Sequence, residues 1–137
     1  MVLIDEVNAA NVLQIQSGEL IMALHSIKRN KESEIMAIKN KIKKYEEKRR
    51  QEEAMYRTLS PIKKLFTSRT PSHHQAVEYM VNVKERLKTI SAIKQSIAQL
   101  DKLIADVLSE QSTEEMYLSR ILLEEIQVWK EAEVYGG

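Results

Sequence analysis

The chain has 137 residues, no cysteine, three glycines and two prolines, with 43% hydrophobic and 30% charged side chains. This excludes a disulfide framework and thiolate chemistry, and leaves too few turn formers for a β-rich domain. The net charge of +1 points to neither a nucleic-acid binder nor an acidic chaperone; its distribution says more. Residues 1–75 hold 14 basic and 9 acidic side chains, and residues 76–137 hold 7 and 11, giving +5 and −4. Opposite charges on two halves suit segments that lie side by side. No apolar run approaches the ~18 residues of a membrane span. Asp5 and Glu6 interrupt the first apolar run and the first basic residue is Lys28, so a secretory leader is not expected. The expectation is a cytoplasmic protein without a membrane span.

From Asp5 to Leu24 the chain is dense in apolar residues, with Ser17-Gly18 inside the run. A glycine costs about 1 kcal/mol against alanine in a helix, and a helix that continues through Gly18 is the preferred reading. From Lys28 to Arg50 there are ten Lys/Arg and four Glu. The apolar phase of Leu20, Leu24 and Ile27 carries on to Ile35, Ile38 and Ile42 only with one stutter near Lys31–Ile35. Asn30 is the alternative break. Glu46 to Glu53 is wholly polar, and its i,i+4 pairs of opposite charge mark a solvated helix.

Ser60-Pro61 ends the first helical region, and residues 59–71 are read as a loop. Ser72-His73-His74-Gln75 has the S-x-x-Q spacing of a capping box and starts the second region. The apolar face of that region runs through Val83, Leu87, Ile90, Ile97, Leu100, Ile104 and Val107 at intervals of mostly three and four. Ser112-Thr113-Glu114-Glu115 could start a further helix or be an exposed turn of the same one. The face continues through Leu118, Ile121, Leu122, Ile126 and Trp129.

The expected fold is therefore all-α. It is one domain over 1–137 forming a long, coiled-coil-like antiparallel helical hairpin, with helix over 5–58, loop over 59–71 and helix over 72–134. The alternative breaks near Asn30 and Ser112 into a three- or four-helix bundle.

Catalytic patterns are missing. There is no H-E-x-x-H, G-x-S-x-G, Walker A or G-x-G-x-x-G, and no Glu-x-x-His for a di-iron bundle. His74 and Glu78 could share a metal, but two ligands do not make a site. No enzyme, cofactor or metal is expected.

Apolar positions are unevenly spread. They number 16 in residues 1–27 and 12 in 112–137, but 13 of 48 in 28–75. The two ends exceed what one facing helix covers. The expectation is a non-enzymatic interaction protein (adaptor, assembly factor or secretion-type chaperone) working through Leu13, Leu20, Leu24, Leu118, Ile121, Leu122 and Trp129. Its partner would be a second copy, giving a homodimer, or another helical protein. Lys63, Lys64, Leu65, Phe66 and Arg69 form a second candidate docking feature in the loop. The basic 28–50 segment supports the alternative, a nucleic-acid or polyanion binder.

Overall fold

A computed structural model describes residues 1–58, 72–109 and 114–136. The chain is mostly helical, but three short strands accompany the helices: β1 (Val2–Asp5), β2 (Asn11–Gln14) and β3 (Glu115–Leu118). The helices are α1 (Ser17–Thr58), α2 (Ser72–Tyr79), α3 (Glu85–Leu108) and α4 (Arg120–Gly136), with a π-helical segment, Met80–Lys84, between α2 and α3. The chain divides into two compact units, Met1–Glu32 with Gln95–Gly137, and Ser33–Lys94.

The strands correct the all-α expectation at two places, and the reason is local. Between β1 and β2 the Asp5 carboxylate accepts from Val7 N–H at 2.8 Å and the Asn8 amide oxygen accepts from Ala10 N–H at 3.0 Å. Such side-chain bonds to nearby N–H groups compete with helix formation. Asp5 N–H then donates to the Ala10 carbonyl at 3.0 Å, closing an antiparallel hairpin with register Val2↔Gln14 and Leu3↔Leu13. Helix α1 consequently begins at Ser17, not at residue 5, and Gly18 lies in its first turn. Ala9 completes the turn at φ 56°, a conformation that strains a side chain with a Cβ. Ala9→Gly is expected to raise stability by about 0.5–1 kcal/mol, read as an upward shift in thermal midpoint.

β1 is central, in the order β2-β1-β3, and runs parallel to β3 with Leu3↔Met116 and Asp5↔Leu118. One face of this sheet meets the first unit's core. There Leu3, Ile15, Leu20, Ala23, Leu24 and Ile27 pack with Leu100, Ile104, Val107, Leu118, Leu123 and Ile126. Helix α4 is capped by Ser119, whose Oγ accepts from Leu122 N–H at 3.3 Å. The capping box expected at Ser112 is thus not the start of this helix, since Glu115–Leu118 is strand.

In the second unit, helix α1 buries Ile35 and Ile42 while the later helical run buries Val83 and Ile90. Burial along α1 passes from Lys31 to Ile35, a step of four after the step of four from Ile27, and then continues through Ile38 and Ile42. That is the expected stutter. The helix does not break at Asn30, so the four-helix alternative loses one of its two breaks. The other, near Ser112, follows the end of α3 at Leu108.

The second helical region begins at Ser72, where the capping spacing put it. Backbone angles at Tyr79 and Glu85 are both helical, so α2, the π segment and α3 are one uninterrupted helical run. Within it Leu87, expected on the buried face, is exposed, and Arg86 is half-buried in its place. A step of three from Val83 was as compatible with the pattern as a step of four. The helix takes the former, covering its face with the arginine's aliphatic stem.

Candidate protein-interaction groove

The seven apolar positions singled out at the chain ends fall into different environments. Leu20, Leu24 and Leu118 are buried within the first unit's own core, and Leu13, Leu122 and Trp129 are half-buried against it. The sheet accounts for this: it supplies the second surface that a lone facing helix could not. Only Ile121 stands open, at 72% exposure. Lys63, Lys64, Leu65, Phe66 and Arg69 lie outside the described residues.

Ile121 borders an open groove of about 500 Å³. Helix α3 contributes Leu100 and Leu103, the end of β3 contributes Tyr117 and Leu118, and the first turn of α4 contributes Ile121 and Leu122. Tyr117 is 58% exposed. Charges edge the groove. Glu6, Lys102 and Asp106 are exposed, while Lys31 and Glu125, which also line it, pair with each other at 3.6 Å. Shape, apolar lining and a polar rim are what a helix-in-groove contact requires.

A helical reading of 72–134 gives no reason to single out Tyr117, which the strand turns outward. The available signal was Glu115-Met116-Tyr117-Leu118. Its alternation puts Met116 and Leu118 inward and Glu115 and Tyr117 outward, as a period of two requires.

The basic segment is partly engaged. Lys28 Nζ meets Asp101 at 2.7 Å and Arg49 meets Glu78 at 4.0 Å. The Asp101 hydrogen bond holds the Lys28 ammonium above its ordinary value of 10.5; desolvation opposes it, and the charges of Asp101 and Glu32 add smaller upward effects. A cation with a raised folded-state pKa contributes stability that is whole below the unfolded value and disappears as pH rises through the folded one. The gap in thermal midpoint between wild type and Asp101→Asn is therefore expected to be constant near neutrality and to close from about pH 10 upward. By contrast Lys39, Lys41, Lys43, Lys44, Lys48 and Arg50 are exposed. Among the described residues no group of three or more His, Asp or Glu side chains converges as a metal site would require, and no helix is long and apolar enough to cross a membrane. Compared with protein-family models, with curated proteins and with solved structures, the chain matches none.

Proposed function

We propose that this chain is a non-enzymatic interaction protein, an adaptor, assembly factor or secretion-type chaperone, that works by receiving a partner's helix in the α3–β3–α4 groove. The observation that carries the reading is Ile121 standing open beside Tyr117, with Leu103 and Leu122, in a groove whose remaining lining is largely polar. A large apolar side chain left in water at the rim of a groove marks a contact surface. Within each unit the two helical regions lie side by side in this reading, bridged by Lys28–Asp101 in the first and by Arg49–Glu78 in the second. A photo-reactive amino acid at position 121 in cells is expected to capture a protein chain. The same probe at Glu124, an exposed α4 position that does not line the groove, is expected to capture nothing. Equal silence at both positions would overturn the reading.

A further inference from the structure

Charge separates by compact unit more sharply than by halves of the chain. Residues 33–94 carry 15 basic and 7 acidic side chains, a net +8, while residues 1–32 with 95–137 carry 6 and 13, a net −7. Unlike fields of this size favour contact between the basic surface of one molecule and the acidic surface of another, and oppose contact of like surfaces.

Each unit also leaves apolar surface open. In the −7 unit Tyr117 and Ile121 open into the groove, and Val7, Met22, Leu108, Val128 and Val134 are exposed away from it. In the +8 unit, beside the exposed Met36, Met55 and Tyr79, it includes a helical stripe: Val77, Met80 and Val81, at i, i+3 and i+4, with Leu87 about two turns beyond Met80. These four are between 46% and 57% exposed. The stripe contains the π segment, a geometry uncommon in helices and often found at functional sites. Here Glu85 N–H reaches back to the Met80 carbonyl, and Asn82 Nδ2 donates to the Glu78 carbonyl at 2.9 Å. Lys84 and Lys88 stand along the same stripe, exposed. Lys88 makes a surface pair with Glu85 at 3.7 Å, which holds it weakly.

We infer that the groove's occupant is a second copy of this chain, which presents its Val77–Lys88 helix to the groove. The inference rests on the groove being a protein-interaction site. Val77, Met80, Val81 and Leu87 supply apolar anchors of the spacing a groove reads, and they cover Leu103, Tyr117, Ile121 and Leu122. Lys84 and Lys88 meet the carboxylates of Glu6 and Asp106. The contact joins two different surfaces, so every copy carries both a groove and a stripe.

Sedimentation of the full chain over a concentration series tests this. Self-association is expected at about 50 mM NaCl, with a Kd raised roughly tenfold or more at about 500 mM. Val81→Asp and Ile121→Asp, both at exposed positions, are expected to keep the wild-type circular dichroism and thermal midpoint but to sediment as monomers. Mixed in equal amounts they are expected to associate again, because each retains the surface the other has lost. Lys84→Glu should weaken association, and a mixture with Asp106→Lys should recover it. A wild type that stays monomeric at about 100 µM, or a mixture that fails to associate, overturns the inference. So does a monomer that instead binds duplex DNA through Lys41, Lys44 and Lys48 with a steep salt dependence, which would assign the +8 unit to a polyanion. Capture of a different protein from position 121 overturns the second copy as occupant and leaves the groove reading standing. Association that survives with position 121 silent removes the groove itself.

Discussion

Leu20→Asp is expected to unfold the unit formed by residues 1–32 and 95–137, and Leu20→Ala to lower its stability by about 2–5 kcal/mol. Leu20 is fully buried among Leu24, Leu123 and Ile126, so alanine leaves a cavity that its neighbours cannot close. Aspartate would be an unpaired charge in the same place, which folding tolerates only by protonation or by loss of the core. Chemical denaturation followed by circular dichroism measures both. Ile121→Asp is the comparison, since at 72% exposure it is expected to change stability by no more than about 0.5 kcal/mol. Similar losses at positions 20 and 121 would mean that the groove is core rather than surface. The contrast also separates two things that apolar density alone runs together: residues that hold a unit closed and residues that meet a partner.

How far the sequence carried this distinction depends on the physical signal at each place. Long helices were legible because their apolar spacing persists over many turns. The stutter at Lys31–Ile35 and the start at Ser72 followed from phase and capping chemistry. The strands were not legible, because four residues such as Val2–Asp5 hold only two periods of alternation and an apolar run that short fits either structure. What decides them lies elsewhere: the Asp5 and Asn8 turn bonds, and a partner strand more than a hundred residues away at Glu115–Leu118. No local pattern reports such a pairing. The interface prediction inherited that miss. Leu24 and Leu118 looked like surplus apolar surface only because the sheet that helps enclose them was not foreseen. Ile121 and Leu122, expected at the interface, share one groove with Leu103 and with Tyr117, which the helical pattern did not single out.

Ile4→Pro is expected to cost at least about 3 kcal/mol and to remove the cooperative melting of the first unit. β1 lies between the other two strands, so neither of its edges is free. Val2 N–H donates to the Glu114 carbonyl at 2.7 Å and Glu6 N–H to the Leu118 carbonyl at 3.0 Å. Alternation along a parallel ladder directs the N–H of Ile4, midway between them, to β3 as well. Proline there removes that donor from a central strand, where it is essentially never found. The side chain, only 4% exposed, would be lost too. Tyr117→Pro provides the control. β3 is an edge strand, and since residues 114 and 118 face β1, the Tyr117 N–H points away from the sheet. Proline is tolerated at such a position, and the expected loss is about 1 kcal/mol or less. Thermal melts of the two variants beside the wild type decide the matter. Equal losses would mean that β1 is not the central strand, and the enclosure of Leu20, Leu24 and Leu118 by the sheet would need another explanation.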